Sequence, residues 1–213
     1  MKIIEPYVEI LTPIDASLLR MVERCGRVCY KSEDRITPKS AEKFVANLIA
    51  RGHEAVLEHA SITVKFVCDR GVSHEIVRHR IAAYCQESTR YCNYSKGDFG
   101  GEIAFIKPLF FDRGTQPYEA WEASCRTSEE AYFELLNLGC SPQEARSVLP
   151  NSLKTEVIMT ANLREWRHFL KLRCSPAAHP QMRQLAVDLL NKLTAAVPVV
   201  FDDILGEKAD NEQ

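Results

Sequence analysis

The sequence predicts an α+β domain in which a central, largely antiparallel β-sheet is flanked by helices. Three observations carry that expectation. From His59 to Cys68, the apolar Ala60, Ile62, Val64, Phe66 and Cys68 alternate with Ser61, Thr63 and Lys65, the period of a half-buried strand. Several longer segments place apolar residues three or four apart behind residues that cap helices. No internal repeat, low-complexity run or clear linker divides the 213 residues, a length at which one domain buries a sizeable core. Residues 1–206 are therefore expected to form a single domain, and residues 207–213 a disordered tail.

The elements follow in order. Lys2 to Ile10 alternates weakly and reads as a short strand. Asp15 or Thr12 caps a helix over Ala16 to Tyr30, where Leu18, Leu19, Val22, Cys25 and Cys29 keep helical spacing. A second helix starts at Thr37-Pro38 or Ser40, turns Phe44, Val45, Leu48 and Ile49 to the core, and stops at Gly52, a hinge with His53. After the strand ending at Cys68, Ser73 is expected to cap a short helix through Arg78, and residues 81–96 to form a loop. Glu102 to Ile106 reads as a strand and Pro117 to Leu138 as a long helix ended by Gly139. Ser141-Pro142-Gln143-Glu144 has the form of a capping box, so a helix over Gln143 to Val148 presents Arg146. Lys154 to Ala161 reads as a strand, with helices over Leu163 to Leu172 and Pro180 to Ala196.

Composition narrows the function classes. No run approaches the roughly 18–20 apolar residues that span a bilayer, so no membrane association is expected. The start, Met1-Lys2-Ile3-Ile4-Glu5-Pro6, carries an acid and a proline where a secretory signal needs an unbroken apolar stretch, which predicts a cytoplasmic protein. Eight cysteines occur without a Cys-x-x-Cys pair, so reduced packing residues are expected and no metal site. The net charge of −2 sets a local basic cluster against a mildly acidic remainder. Nucleic-acid binding, which calls for a broad positive face, is not expected.

That cluster is the most informative segment. Arg78, His79, Arg80 and Arg90 fall within thirteen positions, and close guanidinium groups tolerate one another only with polyanionic partners or heavy solvation. Further arginines recur near element ends at 146, 164 and 173. Either folding gathers them into one pocket, or each pairs singly with a surface acid. His79 and His168 read equally as ligand contacts or as satisfied core histidines. Ser88 invites a nucleophile reading, but no Ser-His-Asp order accompanies it.

The spacing Arg78-His79-Arg80, seven residues, Ser88, then Arg90-Tyr91 closely resembles the signature of flavin-dependent thymidylate synthases. A second block agrees with that family: Asn162-Leu163-Arg164, His168 and Leu172-Arg173. So do Gly52-His53-Glu54 with Glu58-His59, and Arg146 in Ala-Arg-Ser-Val-Leu-Pro. The likeness runs in order from about residue 50 to 175. It implies the thymidylate synthase-complementing fold, a homotetramer with active sites at subunit interfaces, and reductive methylation of dUMP to dTMP. The resemblance further implies 5,10-methylenetetrahydrofolate as carbon donor and FAD as the flavin, reduced by NADPH. By the same resemblance FAD would be held by His53, Ala55, Arg78, His79, Arg80, Gln86, Asn162, Leu163, Arg164 and His168. The nucleotide would be held by Glu75, Ile76, Val77 and Arg78, by Gln86, Glu87, Ser88, Thr89 and Arg90, and by Arg146 and Arg173. Arg173 carries the catalytic expectation: lying against the uracil edge, its charge would favour an ionised N3.

Three positions depart from the family pattern. Ala55 stands where many relatives have Ser or Thr, Cys85 replaces a frequent polar residue, and Glu87 adds a negative charge beside the phosphate-binding loop. No Gly-x-Gly-x-x-Gly occurs, so a Rossmann turn is not expected to hold the flavin. The rival reading is an RNA- or nucleotide-binding module that uses the basic 78–94 segment with Tyr84, Tyr91 and Tyr94 as stacking platforms.

Overall fold

In the computed structural model of the chain, which describes residues 1–97 and 100–206, Pro6 divides the predicted first strand in two. Proline has no N–H to give a ladder. The halves, β1 (Lys2–Ile4) and β2 (Tyr7–Ile10), accordingly join different sheets. The other strands are β3 (Ser61–Asp69), β4 (Ala82–Gln86), β5 (Ala104–Ile106) and β6 (Lys154–Asn162). The helices are α1 (Ala16–Val28), α2 (Ser40–Ala50), α3 (Arg70–Ile76), α4 (Gln116–Asn137), α5 (Pro142–Ala145), α6 (Leu163–Arg173), α7 (Pro180–Ala196), α8 (Pro198–Phe201) and α9 (Asp203–Gly206). The tail expected beyond Gly206 lies outside the described residues.

β1 pairs in parallel with β5, Lys2 opposite Ala104 and Ile4 opposite Ile106. The main sheet has the order β2-β3-β6-β4. Its register is antiparallel: Leu11 N–H donates to Thr63 O at 2.8 Å while Lys65 pairs with Glu9 at 2.9 Å. Leu163 N–H donates to Ala60 O at 2.9 Å, the Thr63 and Thr160 hydroxyls meet at 2.9 Å, and Arg70 N–H donates to Leu153 O at 3.1 Å. The predicted alternation holds from Ala60 to Phe66, and Val67, Cys68 and Asp69 are then buried in succession.

Two local expectations are corrected. Asp69, not Ser73, caps α3: its carboxylate accepts Val72 N–H at 2.7 Å, while the Ser73 hydroxyl is turned inward to Arg70 O. The segment after the Arg-His-Arg triplet is not all loop, because Ala82–Gln86 forms β4. Its alternating exposure was masked in the sequence by the charged residues around it.

The chain gathers into two compact units. One comprises Met1–Tyr7, Phe66–Arg78 and Tyr84–Ile158; the other comprises Val8–Lys65, His79–Ala83 and the chain from Met159 on. In the first, Tyr94, Ile103, Phe105, Cys125, Tyr132, Ala145 and Leu153 form a buried cluster. Thr115, which the sequence reading did not single out, caps α4, and the predicted Ser141/Glu144 capping box closes α5, with Ser141 N–H donating to Glu144 at 2.8 Å.

In the second unit α1 packs on α2, and α6 packs on α7 and α8. The α1/α2 contact is close because position 26 is glycine: a Cβ there would stand 2.7 Å from the Phe44 ring. Beside it Glu23 is wholly buried. Its carboxylate accepts from Arg27 Nη2 at 2.8 Å, from Arg27 Nε at 3.1 Å and from the Ser40 hydroxyl at 2.8 Å. The Arg27 guanidinium in turn lies over the Phe44 ring. Removing one partner of a buried pair strands the other. Glu23→Ala should therefore lower stability by about 2–4 kcal/mol, read as a lower urea midpoint at unchanged slope; an unchanged midpoint contradicts this account of the α1/α2 contact.

Candidate functional site

The block at 162–173 becomes one capped helix. Asn162 ends β6, and its Oδ1 accepts Glu165 N–H at 2.9 Å, which sets the start of α6 at Leu163. Counting from that cap, positions 165, 169 and 173 lie one turn apart on a common face. All three meet the imidazole of His79, which is 5% exposed. Its Nδ1 lies 3.3 Å from Glu165 Oε1, its ring centroid 4.7 Å from that of Phe169, and its Nε2 3.1 Å from Arg173 Nε.

This arrangement fixes the protons. Arg173 Nε carries a hydrogen and can only donate, so His79 Nε2 is the acceptor and the imidazole proton sits on Nδ1, facing the Glu165 carboxylate. Burial pushes the Glu165 carboxyl up from its ordinary value, opposed in part by His168. The potential ligand atoms of His79, Glu165 and His168 lie within 4.8 Å of one another. With Nδ1 protonated, however, His79 offers Glu165 a donor and a metal no lone pair.

A cleft of about 590 Å³ lies alongside. Asn162, Arg164, Glu165 and His168 line it with Ile81 and Lys171, and Glu54 and Glu58 supply an acidic stretch of wall. Arg164 reaches Glu58 at 2.6 Å, but both side chains are about half exposed, so the pair contributes about 0–1 kcal/mol and yields readily to a stronger anion. His53 and Ala55 are exposed at the start of the helical turn Glu54–His59 that carries those two acids. Gly52, at φ 69°, turns the chain into it from α2. Leu163 is buried and contributes its backbone, while Arg78 and Arg80 are exposed on either side of buried His79. Of the six arginines singled out in the sequence, Arg173 is buried; Arg78, Arg80, Arg90, Arg146 and Arg164 are exposed.

The other unit holds a second constellation, built on the turn after β4. Gln86 Nε2 donates to the Ser73 hydroxyl at 3.0 Å and to Thr155 Oγ1 at 3.4 Å, tying the strand end to α3 and β6. Ser88 Oγ accepts Arg90 N–H at 3.3 Å, and Ser88 O accepts Cys92 N–H at 2.9 Å, so the 88–92 segment is a tight turn. Thr89 is buried, and its hydroxyl accepts from Arg146 Nη1 at 3.1 Å, which brings Arg146 to this turn. Ile76 is buried with its carbonyl accepting from the Tyr84 hydroxyl at 3.1 Å; Glu75 is half-buried and Val77 exposed.

The extra charge at Glu87 is compensated. Lys154 Nζ donates to it at 2.9 Å and the Tyr94 hydroxyl at 3.2 Å, with Lys154 also held by Glu156 at 2.6 Å. Burial and the neighbouring Glu87 carboxylate push the Tyr94 hydroxyl's pKa far up. Tyr94 is buried and Tyr84 half-buried, so of the three tyrosines only Tyr91 is presented to solvent. All eight cysteines are free thiols. Among the described residues, no helix is long and apolar enough to cross a membrane.

Sequence reasoning passed over Glu165, Lys154 and Arg167. Glu165 had a signal: it stands three residues after the capping Asn162, the position from which an acid completes a capping box. Lys154 had none, since its partners are 67 and 2 positions away. Arg167 is 2% exposed and donates to Glu54 at 3.0 Å, to Val200 O, and through both Nη atoms to Asp203 at 2.7 and 2.6 Å. It thus fastens α9 to a residue of the cleft wall.

Compared with known proteins, residues 15–199 match the family described as "Thymidylate synthase complementing protein". The flavin-dependent thymidylate synthase of Corynebacterium glutamicum is 34% identical over 201 residues, covering 86% of this chain and 78% of that one. That of Mycolicibacterium gilvum is 34% identical over 216 residues, covering 93% and 84%. That of Pyrococcus furiosus is 33% identical over 174 residues, covering 81% and 70%. Among solved structures, the UMP/dUMP methylase PolB from Streptomyces cacaoi, bound with 5-Br dUMP, superposes with a TM-score of 0.77 over 97% of both chains at 24% identity, a likeness of fold.

Asp203 offers a check on the α9 attachment. Burial raises its pKa, but the hydrogen bonds and charge of Arg167 outweigh that and hold it below the ordinary value. Its contribution is therefore present above the unfolded carboxylate pKa of about 3.9 and is lost as pH falls through the lower folded value. Asp203→Asn should cost about 1–3 kcal/mol near pH 7, the range for a charge-assisted hydrogen bond, and the gap from the parent protein should close below about pH 4. A gap independent of pH contradicts the pairing.

Proposed function

Because the chain belongs to the thymidylate synthase complementing protein family, with flavin-dependent thymidylate synthases among its relatives, we propose that it converts dUMP to dTMP by reductive methylation. The carbon donor is 5,10-methylenetetrahydrofolate, and the flavin is FAD reduced by NADPH. Residues 1–206 act as one catalytic domain, placed in the cytoplasm in keeping with eight free thiols. The observation that carries the reading is that two separated sequence blocks, 78–80 and 162–173, meet at His79 and Arg173, 3.1 Å apart.

The cleft beside α6 suits a flavin nucleotide. Its volume of about 590 Å³ lies within the range of cofactor pockets. Asn162, Arg164 and His168 line it with polar and cationic groups fit for a pyrophosphate, and the family resemblance assigns His53, Ala55, Arg78, Arg80, Gln86 and Leu163 to the same cofactor. His79 serves this site through its ring, since both its nitrogens are engaged. When bound, FAD supplies hydride transfer.

dUMP is assigned to the turn after β4 and to Arg173. Ser88, Thr89, Arg90 and Arg146 present hydroxyls, amides and guanidinium groups suited to a phosphate dianion, with Gln86 and Glu87 holding the turn, and the family resemblance assigns Glu75, Ile76, Val77 and Arg78 to the same nucleotide. Arg173 would lie against the uracil edge, where its positive charge favours an ionised N3, and exclusion of water strengthens the effect. The protein is read as a homotetramer with sites at subunit interfaces. In the single chain Arg78, Arg80, Arg90 and Arg146 are exposed, as expected of groups that a bound anion and a second copy would cover.

The decisive assay mixes purified protein with dUMP, methylenetetrahydrofolate and NADPH and measures dTMP; no dTMP overturns the reading. Arg173→Ala should weaken dUMP binding about 10- to 100-fold, the loss of a charge-assisted hydrogen bond, with FAD retained; unchanged dUMP affinity by calorimetry counts against the assignment. Arg80→Ala should lower flavin content as purified, and a fully yellow variant contradicts its place at the flavin.

A further inference from the structure

Arg173 is buried and approached on its Nε edge by a ring that a carboxylate in turn holds. With Nε turned to His79, the guanidinium can address a ligand only through Nη1 and Nη2, so its orientation decides whether those atoms reach the ligand side by side. His79 can accept from Nε only in the tautomer that keeps its proton on Nδ1. The opposite tautomer would set two donors against each other. Glu165, 3.3 Å from Nδ1 and 7% exposed, selects that tautomer, and Phe169 fixes the plane of the ring. The carboxylate is itself placed by the Asn162 cap, through its own N–H. Lone ionic contacts in solvent are weak because side chains must be ordered to make them; here Glu165, His79 and Arg173 are all buried, the carboxylate and the guanidinium on α6 and the ring between them, and polarisation of the ring by the carboxylate strengthens its lone pair toward the arginine.

We propose that Glu165 is a positioning residue for the substrate-binding guanidinium: acting through the imidazole of His79, it orients Arg173 toward the pyrimidine. The row resembles a carboxylate-histidine pair that prepares a nucleophile, with the orientation of an arginine as its product. This rests on the reading of Arg173 as the group that meets the nucleotide base. It requires that Glu165 matter to dUMP only while Arg173 is present, whereas a general structural role would weaken any variant equally.

A double-mutant cycle on the flavin-loaded enzyme separates these cases, with dUMP affinity as the measurement and flavin absorbance as the control. Glu165→Gln keeps the volume and removes the charge, and it should weaken dUMP binding about tenfold, or about 1.4 kcal/mol, measured per flavin-loaded site because Glu165 also lines the flavin cleft. In the Arg173→Ala background the same substitution should change dUMP affinity less than twofold. Two results overturn the inference: Glu165→Gln leaves dUMP affinity intact in the parent enzyme, or it weakens binding equally in both backgrounds. If Arg173→Ala alone leaves dUMP affinity unchanged, the failure belongs to the reading of Arg173. Should Glu165→Gln be recovered without flavin, the cycle is run with Glu165→Asp, which keeps the charge on a shorter side chain and should give a smaller loss confined to the Arg173 background. Loss of flavin from both variants would assign Glu165 to the flavin site and overturn the proposal.

Discussion

One helical face, repeating every four residues from a capped start, organises the chemistry of this chain. Asn162 sets where α6 begins, and Glu165, Phe169 and Arg173 then fall in a row against a single imidazole. His79 comes from a distant stretch of sequence, so the contact joins two motif blocks through one ring. Shifting the cap by a single residue would rotate the row by about 100° and dissolve it. A buried guanidinium is costly without partners. At Arg173 the partner at Nε is a neutral ring whose proton position is dictated from its far side.

The same logic, charge placed beside a compensating group, recurs in both units. Glu87 adds a negative charge at the turn after β4, and Lys154 and Tyr94 absorb it. Arg167 is buried in α6 and shared among Glu54, Val200 O and Asp203. Glu23 is buried at the α1/α2 contact and satisfied by Arg27 and Ser40. Five of the arginines to which the family resemblance assigns an anion, Arg78, Arg80, Arg90, Arg146 and Arg164, are exposed, as are others outside the motifs such as Arg20 and Arg51.

Much of this could be read before any coordinates. The alternation of β3, the cap at Asp15, the start of α2 at Ser40 and the Ser141–Glu144 capping box are local signals, and each is found where the sequence put it. So are the two motif blocks. What stayed hidden depends on partners far along the chain. β4 was obscured because a short edge strand among charged residues carries little period-two contrast, and its pairing is to β6, about 70 residues on. Ser73 looked like a cap until Asp69, four residues earlier, took that role. The compensation at Glu87 needed Lys154, and the division of β1 from β2 needed only the missing N–H of Pro6, a signal present in the sequence and passed over.

The proton on His79 is the most direct test of how Arg173 is held. Nitrogen NMR of histidine-labelled, flavin-loaded protein distinguishes a bare ring nitrogen from a protonated one. The account predicts, near neutral pH, a neutral His79 with hydrogen on Nδ1 and none on Nε2, and a change in that signature when Glu165 is replaced. A proton on Nε2, or on both nitrogens, would contradict it, because Arg173 Nε would then have no acceptor there.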